Sequence, residues 1–198
     1  MKKTLIICVG IATLTLASCG SSKSSTQSNK GGNSPFGETY EMPCAEYDSN
    51  SEFGATGIYK CSAAQKGNAQ MFALQNAQQI VRMKMQHAYK GMVSDYTNSY
   101  GNNAGNDIQS KITAAGDQVI NAVINDTRAT CVRFSEVDDR GNIECYVGIR
   151  ISKEMLAKKI TERVSNALSQ DEKMRIDFKE NKYREDMEAR FKNFKDNN

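Results

Sequence analysis

The segment ATCVRFSEVDDRGNIECYVGIRI, residues 129–151, constrains this chain most, because its apolar period is two while its flanks repeat every three to four residues. Val132 and Phe134 point one way. Beyond the DDRGN turn, Ile143, Cys145, Val147 and Ile149 alternate with Glu144, Tyr146, Gly148 and Arg150. Two alternating runs around a glycine-containing turn predict a β-hairpin. A hairpin cannot bury its apolar face by itself, so the helices on either side must cover it. Asp138 and Asp139 belong to the turn; the D-x-D-x-D-G order of a calcium loop is missing.

The rest of the fold follows from helical spacing. The chain has only two prolines, Pro35 and Pro43, so no proline ring breaks a helix from residue 44 onward. FGATGIYKC, starting at Phe53, reads as a strand whose Gly54 and Gly57 mark a bulge or a close backbone approach. Ser62 and Gln65 form an S-x-x-Q capping box that opens a helix. Along it Ala69, Ala73, Ala77, Ile80 or Val81, Lys84 and Ala88 share a face, widened by Phe72, Met85 and Met92. Its small residues predict a close seat against a sheet. YTNSYGNNAGND, residues 96–107, reads as a loop. A second helix carries Ile108, Ile112, Ala115, Val119, Ile120, Val123 and Ile124. Ser152 caps a third, with Glu154 near its positive end and Met155, Leu156, Ile160, Val164, Ala167 and Leu168 as its stripe.

From Asp171 to Asn198 the chain carries eight Lys/Arg and eight Asp/Glu. Tyr183, Met187, Phe191 and Phe194 still fall on one helical face, which predicts an extended charged helix over residues 169–198. That stripe packs back on its own domain, meets a second copy or an envelope protein, or frays into disorder. The predicted fold class is α+β: a small antiparallel sheet of about three strands packed by long helices, with a charged amphipathic C-terminal helix.

The N-terminus bears on location. Met1-Lys2-Lys3 is a positive n-region, and Thr4 to Leu16 is an apolar run too short for the about 20 residues of a bilayer span. Leu16-Ala17-Ser18-Cys19 is similar to the bacterial lipobox, in which signal peptidase recognises the three residues before the cysteine and the cysteine takes a diacylglycerol. Residues 1–18 are then a signal peptide and Cys19 a lipid anchor, since two or more acyl chains hold a protein stably at a membrane. Gly20, where an inner-membrane retention signal carries Asp, favours the outer membrane, facing the periplasm. Residues 19–52 then form the lipidated cysteine and a flexible tether rich in Ser, Gly and Asn. Loss of Lys2 and Lys3 lowers the net charge from +3 to +1, which gives no basic excess for nucleic acid, and no such partner is expected.

Four other cysteines remain in the mature chain, Cys44, Cys61, Cys131 and Cys145, and an oxidising compartment allows them three pairings. If Val132 and Phe134 face the core, Cys131 faces away while Cys145 shares the core parity, which disfavours joining those two. The expectation is Cys44–Cys61, pinning the tether to the first strand, with Cys145 a buried thiol. No spacing suits a zinc site, His87 lies at the solvent edge of a helix, and no metal or cofactor is expected. G-x-S-x-G, a phosphate-cradling loop and H-E-x-x-H are all missing, so no catalytic residue is assigned. A non-enzymatic binding or assembly role in the envelope is expected. The alternative is a small-molecule-binding lipoprotein with an apolar pocket between sheet and helices.

The order of lipobox, tether, strand, Ala-rich helix, second helix, hairpin and helix resembles the LPP20-type bacterial lipoproteins over residues 53–168. The matching residues are Ala55-Thr56-Gly57, the Ala69/Ala73/Ala77 repeat and Tyr146-Val147-Gly148-Ile149-Arg150-Ile151. The resemblance implies a helix-on-antiparallel-sheet α+β domain and no defined chemistry.

Overall fold

The computed structural model describes residues 41–99 and 105–194. Along them run β1 (Glu52–Ser62), a 3-10 turn (Ala63–Gln65), α1 (Lys66–Ser99), α2 (Gly105–Asp126), β2 (Cys131–Phe134), β3 (Asn142–Ser152), α3 (Lys153–Ala167), α4 (Gln170–Arg175) and α5 (Glu180–Asn193). The strands form one antiparallel sheet in the order β1-β3-β2. This is the expected α+β class.

Local sequence dictates the hairpin. Val132 lies opposite Val147 and Phe134 opposite Cys145, so one face of the ribbon is apolar. In the turn, Gly141 takes a φ of +75°, which a residue without Cβ tolerates. Asp138 Oδ1 accepts the backbone N–H groups of Asn142 (2.7 Å) and Arg140 (3.0 Å).

The core lies between the apolar face of the sheet and the helices. Phe53, Ala55, Cys145, Val147, Ile149 and Ile151 are buried from the sheet side. Ala69, Ala73, Ala77, Val81 and Met85 of α1 meet them. At Gly57 the fit is closest: a Cβ there would stand 2.0 Å from the Ala73 carbonyl oxygen and 2.4 Å from the Ala77 nitrogen. The alanine face and the bare strand position thus bring helix backbone onto strand backbone. Ile108, Ile112, Ile120 and Ile124 of α2 and Leu156, Ile160 and Val164 of α3 complete the core. Each such side chain contributes about 1.5–3 kcal/mol when fully buried.

Four boundaries depart from the sequence reading. α1 continues to Ser99, with Tyr96 and Thr97 buried, where a loop over 96–107 was expected. The polar residues stay helical because Thr97 Oγ1 donates to the Val93 carbonyl (2.9 Å) and Ser99 Oγ to that of Tyr96 (2.6 Å). Residues 100–104 of that loop lie outside the described residues. Ser62 makes no side-chain capping bond, and the chain enters α1 through the 3-10 turn instead. The tail is two helices rather than one, broken where Asp177 adopts a φ of +42° and Ile176 turns into the core. A reciprocal capping box between Ser169 and Glu172 starts the first of them. Finally, residues 44–51, expected as the end of the tether, pack against the sheet.

Replacing Gly57 with Ala should lower stability by about 1–3 kcal/mol or more, because the methyl must displace helix backbone. Urea denaturation followed by circular dichroism measures it; an unchanged midpoint would disprove the close seat.

Candidate functional site

The outer face of the sheet, turned away from the helices, carries Gly54, Thr56, Gly148 and Arg150. Across it runs a strap, residues 44–51. A Cβ on Gly54 would be 2.6 Å from the Tyr47 carbonyl oxygen, and one on Gly148 would be 2.7 Å from Glu46 Cγ and 2.9 Å from the Cys44 carbonyl oxygen. Two bare positions on neighbouring strands therefore form the track in which the strap lies.

Polar contacts hold it there. Thr56 Oγ1 donates to the Cys44 carbonyl (2.8 Å) and accepts from the Glu46 N–H (2.8 Å). Glu46 pairs with the Arg150 guanidinium, raising its pKa, and accepts from the Thr130 hydroxyl (3.0 Å). Asp48 Oδ1 accepts the Gly54 N–H (3.0 Å), and its other oxygen lies 3.3 Å from Lys84 Nζ. Lys84 also donates to the Gly54 carbonyl (3.0 Å), so this ion pair closes the outer edge of β1 at that point. The Asp48 side chain is only 3% exposed, which makes loss of its partner expensive, about 3–5 kcal/mol.

The strap is also held covalently, by a disulfide between Cys44 and Cys131 with a Cα–Cα distance of 5.5 Å. This corrects the expected Cys44–Cys61 bond. Cys61 shares the side of β1 that carries Tyr59 and faces the helices, whereas the strap crosses the opposite side. Cys131 pairs with Gly148, the residue the Cys44 carbonyl rests on, and so projects toward the strap. Cys61 and Cys145 are free thiols, and burial pushes the Cys145 thiol pKa up. The outward parity of Cys131 was legible; the element that covers that face was not.

The C-terminal stripe is interior. Tyr183, Met187 and Phe191 are fully buried and Phe194 is half-buried, so α5 packs on α1 and α3. This overturns the stripe as a surface for a second copy or an envelope partner. Tyr89 donates to the Ile112 carbonyl (2.6 Å), and its hydroxyl lies 3.4 Å from that of Tyr183. Burial pushes both tyrosine pKa values upward. Phe53 packs edge-on against Phe191, with centroids 5.4 Å apart.

At the first residue of α3, Lys153 is only 3% exposed. Its ammonium donates to the carbonyls of Ser49 (2.7 Å) and Phe194 (2.9 Å) and stands 4.7 Å from the centre of the Phe53 ring. The end of the strap, the start of β1 and the end of α5 thus converge on one cation. A positive charge there also suits the C-terminal carbonyls of a helix.

Among the described residues no group of three or more His, Cys, Asp or Glu side chains could hold a metal ion. His87 is exposed, its ring 5.9 Å from that of Phe194. Among the described residues, open grooves of about 580 Å³, 370 Å³ and 320 Å³ lie along α3 and α5, α1 and α5, and α2 and α3 respectively. No helix among the described residues is long and apolar enough to cross a membrane. Leu16, Ala17, Ser18 and Cys19 lie outside the described residues. No protein-family model, curated protein or solved structure matches the chain.

Lys153→Met should cost about 2–3 kcal/mol, since two carbonyls lose a charged donor, and chemical denaturation measures the loss. Acid should weaken two further points. The backbone N–H of Asn142, aided by Lys60, holds the Asp138 carboxyl at about 2, and Lys111 with the Ser169 N–H holds that of Glu172 at about 2. Both pKa values are lower in the folded chain than their ordinary values of 3.8 and 4.5. Their contribution is therefore intact above pH 4.5 and is lost as pH falls toward 2. Thermal unfolding followed across that window should show Tm falling, and a shallower fall in Asp138→Asn.

Proposed function

We propose that this chain is a non-enzymatic bacterial envelope lipoprotein, anchored by lipid on Cys19 and serving a binding or assembly role at the outer membrane, facing the periplasm. One observation carries the reading: Leu16-Ala17-Ser18-Cys19 follows a positive n-region and an apolar run in register with a lipobox. The Cys44–Cys131 bond supports it, because such bonds persist in oxidising compartments. The resemblance to LPP20-type lipoproteins points the same way and carries no chemistry. A second copy or an envelope protein would meet the domain on surfaces other than the buried face of α5.

Replacing Cys19 with Ser should abolish incorporation of labelled palmitate and move the protein from the membrane to the soluble fraction. Labelling that persists in the variant would refute the anchor.

A second reading is small-molecule binding. The observation that favours it is the groove between α1 and α5, with Met92, Tyr96 and Ala189 among its lining and Asp95, Lys182 and Arg190 bringing both signs of charge. Native mass spectrometry of protein taken from its own envelope would reveal a retained ligand; a bare mass would count against it.

A further inference from the structure

At its Cys44 end the strap is held by one covalent bond, to β2, and otherwise by the side-chain hydrogen bonds of Thr56 and Thr130 and the ion pair of Glu46 with the exposed Arg150, contacts that are individually weak. Residues 41–51 contain no helix or strand. β2 has four residues, none of them fully buried, and pairs only with β3. Cys44 and Cys131 are each partly exposed, so the bond lies near the surface and outside the core. Cys44 also holds a φ of +56°, a region that residues with side chains rarely occupy unless their surroundings impose it. Here the imposing contacts are the disulfide itself and the Thr56 hydroxyl on the Cys44 carbonyl.

The other end of the strap is fastened differently. Asp48 is buried against Lys84 and the Gly54 N–H, and Ser49 accepts from the buried Lys153. Neither contact involves sulfur, so breaking the disulfide leaves that end in place. Among the described residues the free thiols do not compete for the bond, because Cys61 and Cys145 lie on the helix-facing side of the sheet.

We propose that Cys44–Cys131 is a redox clasp: a dithiol reductant opens the Cys44 end of the strap and loosens β2, uncovering the sheet around Gly148, while the helices and the β1–β3 ladder stay folded. In the step, one thiolate of the dithiol attacks a sulfur of the bond, which breaks to leave a mixed disulfide and one free cysteine. The second thiol of the reagent displaces the other cysteine. Two electrons and two protons reach Cys44 and Cys131, and the reductant leaves as a disulfide. The inference is independent of lipidation at Cys19.

Hydrogen-exchange mass spectrometry of the full-length chain, with and without dithiothreitol and without denaturant, tests it. Alkylation should first find both Cys44 and Cys131 labelled after reduction. Exchange should then rise tenfold or more over residues 41–47 and 130–135, with α1, α2, α3 and α5 unchanged. The double variant Cys44→Ser, Cys131→Ser should show the same local rise without reductant. Three outcomes overturn the proposal: a bond that resists reduction in the folded chain, exchange unchanged after verified reduction, or exchange rising throughout the helices. Reduction of the native chain is decisive even if the double variant does not fold.

Discussion

Contact between the backbone of α1 and that of β1 at Gly57 sets the position of the longest element, and the other helices answer to that position. A helix of 34 residues extends about 50 Å, whereas an 11-residue strand spans about 36 Å. Seated by Ala73 and Ala77 near the middle of β1, α1 runs well past the sheet. Its far half still carries an apolar face, Ala88, Tyr89, Met92, Val93 and Tyr96, which the strands cannot cover. α2 and α5 supply that cover: Tyr89 reaches the Ile112 carbonyl, and the rings of Tyr96 and Tyr183 pack edge to face with centroids 4.8 Å apart. The highly charged tail keeps Tyr183, Met187 and Phe191 for this reason.

Charge is buried where segments of irregular backbone must be closed off. Asp48 and Lys84 satisfy the N–H and carbonyl of Gly54 at an unpaired strand edge. Lys153 satisfies carbonyls from the strap and from the end of α5, groups that no regular ladder reaches. A hydrophobic residue at either lysine position would pack well and leave acceptors without donors. These cations thus act as junctions between chain segments, while the gain from burial comes from the alanine, isoleucine and aromatic surfaces around them.

What was legible in the sequence was local and periodic. The alternation across Val132–Ile149 specified the hairpin and its buried face, and the alanine repeat opposite a glycine-bearing strand specified the seat of α1. Ser152 was readable as a cap, and its hydroxyl accepts the Met155 N–H at 3.3 Å. The strap was not readable. Its residues have the polar, small composition of a tether, and its contacts join positions far apart in sequence, 87 residues in the case of Cys44 and Cys131. The end of α1 departs from its composition for a related reason: Thr97 and Ser99 are loop-forming residues, yet they bond back to their own helix and extend it. The candidate site is thus the part of the molecule that composition describes least well.

The sheet sorts its sulfur by side, with Cys131 on one face and Cys61 and Cys145 on the other. A slip of one residue between β2 and β3 would reverse every side chain of β2. Cys131 would then turn toward the helices, out of reach of Cys44, and Arg133 would be driven into the core. The bond is therefore incompatible with a one-residue slip of β2. The disulfide thus rests on side-chain parity as well as on distance: it is compatible with the observed alignment of two strands and not with the alignment one residue away.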